Sequence, residues 1–239
     1  MKNRTLILIF LLALVVRLAI LYKARDAYNS STMSLAHANI ARNLLLGRGF
    51  VLSNETFLRK LYNDQSKTEK LLDVEDYLPD VSPSRDIVLV PQVDRMTGYS
   101  VLLAMTYLIF GQQRYIYLQV IQAIVDSLSC LMIFWIASTI FNRRIGLLST
   151  FLFAIYLSTA RTAICALHSA WMPFITVLAT YLLIRASVDE SKKIKIYILI
   201  GLTIAVGTYI HALIVLLPVF FGIGIIFNKG FRKGLIATG

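Results

Sequence analysis

Apolar residues run almost unbroken from Leu6 to Tyr22 and then give way to a polar stretch that lasts to about residue 97. They return in a series of runs, over 99–110, 115–141, 145–160, 170–184, 196–210 and 212–227, separated by short turns that carry glycine, histidine or basic residues. Runs of this density predict helices whose solvent is lipid. A bilayer core takes about 20 apolar residues per helix, and the run over 99–110 falls well short of that. It predicts a short helix that dips into, or lies on, the outer leaflet. The others, with the first, predict six crossings. The expected fold is therefore all-α: a polytopic bundle forming a single membrane domain over 1–239, with a first crossing at 6–22 and a large outer loop at 23–97.

Within that loop the pattern changes. Ser30, Ser31 and Thr32 offer N-cap side chains, and Met33, Ala36, Ile40 and Leu44 then recur at helical spacing, with His37 at the edge of the stripe and Asn39 and Arg42 on other faces. Gly47 supplies a stop. An amphipathic helix over 33–46 is expected, its apolar side set in lipid or against the bundle.

Composition agrees with a lipid-solvated chain: 57% of residues are hydrophobic and 15% charged. The net charge of +11 would suggest nucleic acid on a soluble surface, but its placement removes that reading. Lys2 and Arg4, then Arg143 and Arg144, then Arg185, Lys192, Lys193 and Lys195, then Lys229, Arg232 and Lys233 each sit at the end of an apolar run. Such clusters mark the cytoplasmic side, so both termini are expected in the cytoplasm and the protein in the cytoplasmic membrane. Ten of the 13 acidic residues lie between Asp26 and Asp94, in the loop assigned to the opposite side. Lys23-Ala24-Arg25 is no small-residue cleavage site, so the first run reads as a retained anchor. Cys130 and Cys165 lie in or beside apolar runs and imply no disulfide framework. Residues 228–239 read as a cytoplasmic turn leading into another apolar helix, as in the N-terminal part of a longer protein.

A few residues carry candidate chemistry. Arg17 lies inside a crossing, where a charge either serves a function or snorkels to the interface, here past Tyr22. Asp26 follows the first crossing and is either a solvated partner of Lys23 or Arg25 or a reactive carboxylate. Asp94 and Arg95 stand where the loop returns to the membrane. Gln119, Gln122 and Asp126 form a polar stripe inside the long run 115–141, which should face the bundle or a cavity rather than lipid. It either bonds neighbouring helices or lines a pathway. His211 sits at an outer turn, within reach of a substrate phosphate. No P-loop, nucleophile elbow or histidine spacing for a metal is present, and no cofactor is required; a divalent cation has no ligand set pointing to it.

Several segments together resemble one family: Val16-Arg17-Leu18; Ala41-Arg42-Asn43-Leu44-Leu45 with Gly47-Arg48-Gly49-Phe50; Arg95-Met96-Thr97-Gly98-Tyr99 opening a short helix that closes Ile109-Phe110-Gly111; and Phe141-Asn142-Arg143-Arg144-Ile145-Gly146-Leu147-Leu148. They resemble the polyprenyl-phosphate-dependent GT-C glycosyltransferases of the protein O-mannosyltransferase and aminoarabinose-transferase type. The resemblance implies inverting transfer of a sugar from a polyprenyl-phosphate carrier to a glycan, lipid or protein acceptor at the outer face. It implies an acceptor-side carboxylate, for which Asp26 and Asp94 are the candidates. Substrate-binding groups would be Arg17, Arg95, Tyr99, Arg161 and His168. The chain departs from the family pattern in having Met33 where an acid is usual, and His168-Ser169 where an acid usually follows an arginine. Two other readings stay open: a non-catalytic member that binds a lipid carrier or a partner, and a transporter or channel using Gln119, Gln122 and Asp126.

Overall fold

The structure, a computed structural model, describes residues 4–24, 32–53, 89–91, 97–111, 114–188 and 193–223. Its axis is a long helix, α4 (Tyr115–Ile140), against which α1 (Arg4–Ala24), α5 (Arg143–Ile155) and α7 (Met172–Val188) pack; α8 (Lys193–Ile210) lies on α7. Ile9 and Ala13 of α1 meet Cys130 of α4 and Ala154 of α5 in a core built largely of small side chains. Small residues let helix backbones approach where lipid supplies no hydrophobic drive between helices. The opposite face of α1, with Ile7, Leu8, Leu11 and Val15, and that of α8, with Ile198, Leu202 and Val206, are exposed, as lipid-facing surfaces are.

Among the described residues, three helical segments are long and apolar enough to cross a membrane: Arg4–Lys23, Tyr115–Ile140 and His168–Val188. The run over 145–160 is not one straight helix. It is α5 followed by α6 (Leu157–Ile164), bent by 54°, and the pair makes a fourth candidate span. The break falls at Tyr156, whose backbone is extended, and the Thr159 hydroxyl takes the Tyr156 carbonyl at 3.0 Å, a local bond that competes with helix continuation. Asn142 starts α5 by accepting from the backbone amides of Arg144 and Ile145, both at 3.0 Å. The apolar segments Gly98–Phe110 (α3), Ile194–Ile210 and Ala212–Ile223 are shorter.

In the loop, α2 (Thr32–Leu45) packs against α3. Of the two placements open to it from its pattern, the bundle takes it: Ser34, Ala36, His37, Ala38, Asn39, Ile40, Ala41 and Asn43 are all buried. Gly47, at φ 70°, ends it with the Arg48 amide on the Asn43 carbonyl at 2.8 Å and its own amide on Leu44 at 3.1 Å. Beyond it, β1 (Val51–Ser53) pairs antiparallel with β2 (Leu89–Pro91), in the register Val51 opposite Pro91. This ribbon is the part of the described loop that helical periodicity does not foresee. Asn43 ties it to α2, donating to the Val51 carbonyl at 2.8 Å and to Asn39 Oδ1 at 3.0 Å. Residues 54–88 and 224–239 lie outside the described residues.

Candidate functional site

Four segments meet at the end of the bundle where α4 begins. Ser34 on α2 donates to the Ala166 carbonyl at 3.0 Å, and the Tyr115 hydroxyl at the head of α4 donates to the Ser34 carbonyl at 2.6 Å. α2 is thus pinned between α4 and the segment 165–167 that leaves α6. Tyr99, Leu103, Tyr107, Tyr115 and Leu118 form the apolar floor with Ala38 and Ala41, and Trp171 packs at its edge. Gly98 starts α3 beside the end of α8: a β-carbon there would lie 2.5 Å from the Tyr209 carbonyl oxygen, so only glycine permits the approach.

This packing brings together all three histidines of the chain. His37 is buried, with Nδ1 at 2.9 Å from the Ser100 hydroxyl. Its ring stands edge-on to Tyr99 (centroids 5.0 Å apart) and to His168 (5.5 Å). His168, on the 3-10 turn His168–Trp171, lies 5.0 Å from His211, at the end of α8. The Leu213 amide donates to His211 Nδ1 at 3.3 Å, which makes that nitrogen an acceptor and caps the turn Ala212–Leu216. His168 Nδ1 is buried and has no hydrogen-bond partner. Among the described residues no three side chains of metal-ligating type are arranged to hold a metal ion.

The polar stripe of α4 builds the frame behind this row. Gln119 donates to the Ile164 carbonyl at 2.9 Å. Gln122, in the amide orientation that satisfies both neighbours, donates to the Cys165 carbonyl at 3.2 Å and accepts from Trp171 Nε1 at 3.1 Å. Both glutamines therefore hold the segment that presents His168. Cys165 donates its thiol to the Arg161 carbonyl, and burial pushes that thiol above its usual range, so it stays protonated.

One turn further along α4, Asp126 meets Arg17. The Arg17 Nε donates to Asp126 Oδ2 at 2.5 Å, and Nη1 donates to the carbonyls of Ala13 (3.0 Å) and Ala154 (3.3 Å). The two side chains are 0% and 1% exposed. Phe153 covers the guanidinium, its ring centroid 5.5 Å from Cζ. Arg17 does not snorkel; it turns inward and joins α1, α4 and α5. Asp126, the only carboxylate among the described residues, is committed to it.

Of the residues singled out from sequence, Tyr99 and His168 are linked through His37. Arg17 belongs to the ion pair, and Arg161 is exposed on α6; neither hydrogen-bonds to or stacks on the histidine row. Asp26, Asp94 and Arg95 lie outside the described residues. His37, Ser100 and Trp171 were not among the sequence candidates for a role here. Their signal is faint: His37 is a polar residue at the rim of an apolar stripe, and nothing local says that the rim is enclosed.

The family model described as dolichyl-phosphate-mannose-protein mannosyltransferase matches residues 96–238, more than half of the chain. That span holds Tyr99, Ser100, Gln122, His168, Trp171 and His211, and leaves α1 and α2 outside it. No curated protein and no solved structure gives a significant match. With its apolar helices, its multi-pass organisation and this match over most of the bundle, the chain belongs to the dolichyl-phosphate-mannose-protein mannosyltransferase family.

Proposed function

We propose that the chain is a GT-C-type glycosyltransferase that moves a sugar from a polyprenyl-phosphate carrier to a glycan, lipid or protein acceptor at the outer face of the cytoplasmic membrane. The observation that carries this reading is the convergence of His37, Tyr99, Ser100, Gln122, His168, Trp171 and His211 at one end of the bundle of a family member. Aromatic faces, an amide and imidazoles suit a sugar, which presents hydroxyls around apolar ring faces. The basic pair Arg143 and Arg144 follows the far end of α4, which by the positive-inside rule supports an outer placement for the histidine end. The six crossings and two cytoplasmic termini expected from sequence complete this topology.

In this reading Asp26 and Asp94 are the carboxylates that orient the acceptor nucleophile. Arg95 and Arg161 are the cations for the departing phosphate, whose oxygens match a guanidinium fork. Arg17, bound to Asp126, serves the frame. The test is transfer from a radiolabelled polyprenyl-phosphate sugar in membranes holding the chain. Transfer that is lost in Asp26→Asn or Asp94→Asn at unchanged protein level supports the reading; a wild-type chain without transfer refutes it.

The transporter reading loses its pathway, since Gln119, Gln122 and Asp126 all bond to neighbouring elements.

A further inference from the structure

The chain leaves its α-helical course between Ile164, the last residue of α6, and Met172, the first of α7. A continuous helix would satisfy its own carbonyls there with no outside help, whereas a break frees them, and in apolar surroundings each unpartnered group is costly. Three successive carbonyls at this break are taken by side chains from two other elements. Gln119 on α4 donates to that of Ile164 at 2.9 Å, Gln122 on α4 to that of Cys165 at 3.2 Å, and Ser34 on α2 to that of Ala166 at 3.0 Å. What the break gains is the 3-10 turn that follows at once, which sets Trp171 against both the floor and the end of α8, and His168 between His37 and His211.

Ser34 is the donor supplied from outside the family-matched span, and its local setting explains how it reaches across. It stands in the first turn of α2, where position i−4 lies before the helix begins, so its hydroxyl is not drawn back along the helix. Thr106, Ser127 and Thr150, deeper in their helices, each turn the hydroxyl to the carbonyl four residues back. The Tyr115 hydroxyl, donating to the Ser34 carbonyl at 2.6 Å, fixes the residue from the other side. His37 follows three residues later on the same face of α2, and its ring stands edge-on to His168 with centroids 5.5 Å apart. α2 thus grips the segment at two points, Ala166 through Ser34 and His168 through His37, while the glutamines hold it from α4.

We infer that Ser34, Gln119 and Gln122 are positioning residues for the transfer step and act as one unit: they hold residues 164–167 so that the His168–Trp171 turn keeps its place against α2 and presents its imidazole and indole to the sugar. This rests on the transferase reading. All three act through the backbone they hold, so losing one displaces the turn and removes no reacting group. A shift of about 1 Å at a reacting site can cost about 10²-fold in rate, which sets the scale of the loss.

Two measurements on the full chain in lipid nanodiscs test the inference. The first needs no turnover: hydrogen–deuterium exchange of the peptide holding Leu167 and Ala170, whose amides bond to the Cys165 and Leu167 carbonyls within the segment. Ser34→Ala should speed exchange there about tenfold, the weight of one net hydrogen bond, while Ser34→Thr, which keeps the hydroxyl, stays within about twofold of wild type. Unchanged exchange in Ser34→Ala, or the same rise in Ser34→Thr, overturns the clamp. The second reads transfer per folded protein in Ser34→Ala, Gln119→Met and the double variant. Each single variant should lose about 10- to 100-fold in kcat with KM within about threefold, and the double should be no slower than the slower single, because one displacement costs its rate once. A purely structural contribution lowers yield and melting temperature and leaves kcat per folded protein unchanged; that result, or losses that multiply in the double variant, overturns the proposal. If Ser34→Ala does not fold, Gln119→Met carries the exchange and kcat predictions alone. A wild-type chain without transfer refutes the transferase reading, and the exchange rates then decide by themselves whether these donors hold the turn.

Discussion

Removing the carboxylate of Asp126 should destabilise the bundle far more than removing the Arg17–Asp126 pair as a whole. Arg17 is 0% exposed and makes three bonds, of which the one to Asp126 is the only one to a charge. In Asp126→Leu the guanidinium keeps two carbonyls and loses its counter-charge within the bundle. Breaking one side of a buried pair costs about 3–5 kcal/mol in soluble proteins. In a bilayer the separated helices remain in lipid and find other partners, so the lower end, about 3 kcal/mol, is expected here. Arg17→Met strands a carboxylate instead, which can shed its charge by protonation, and should cost about 1–3 kcal/mol. Replacing both groups, as Arg17→Met with Asp126→Leu, restores an apolar contact between α1 and α4 and should lie within about 1 kcal/mol of wild type. Wild type, Asp126→Leu, Arg17→Met and the double variant form a double-mutant cycle, read by reversible unfolding in mixed micelles, with an expected coupling of about 3–6 kcal/mol. Additive single losses would refute the argument that the pair is one unit. Ion flux through wild type that Asp126→Asn abolishes without loss of stability would restore the pathway reading.

Two further substitutions probe the frame around the histidines. Gly98→Ala forces the start of α3 away from the Tyr209 carbonyl and should cost about 1–3 kcal/mol with lower transfer activity; an alanine variant as stable and active as wild type would mean that the approach is not needed. Gln122→Leu leaves the Trp171 indole N–H without a partner and the Cys165 carbonyl with the Leu167 amide alone, so a loss of about 1–3 kcal/mol is expected, together with a shifted emission maximum in a Trp135→Phe background. Unchanged emission would place Trp171 elsewhere.

Much of the helical framework was legible because lipid imposes a simple rule: a long apolar run must satisfy its own backbone, and a helix does so. α4 follows the run 115–141 within a residue, and Gly47 stops α2 where its φ of 70° suits glycine. The bend at Tyr156 was not legible, since Ser158, Thr159 and Thr162 are tolerated in helices, and the hydroxyl-to-carbonyl bonds that Thr159 and Thr162 make recur at Thr106, Thr150 and Thr203 inside unbroken ones. The stripe Gln119, Gln122 and Asp126 announced that it faces inward, but its partners, Ile164, Cys165, Trp171 and Arg17, are 45 to 109 residues distant or in segments with no pattern of their own. Arg17 reads as a snorkelling arginine until Asp126 is placed opposite it. The histidine row was equally hidden: His37, His168 and His211 belong to three separate turns or rims, and only the packing of α2 under α3 and of the His168–Trp171 turn against α8 makes them neighbours.

On the proposed function a lipid-linked sugar binds where α2, α3, the His168–Trp171 turn and the end of α8 meet. Photolabelling with a polyprenyl-phosphate sugar that carries a diazirine on the sugar, followed by peptide mapping, tests it directly. Label is expected on the peptides holding Tyr99 and Ser100, His168 to Trp171, and His211, competed by unlabelled donor. Label confined to the far end of the bundle, around Ile140 to Arg144, or spread evenly over the exposed faces of α1 and α8, would contradict it.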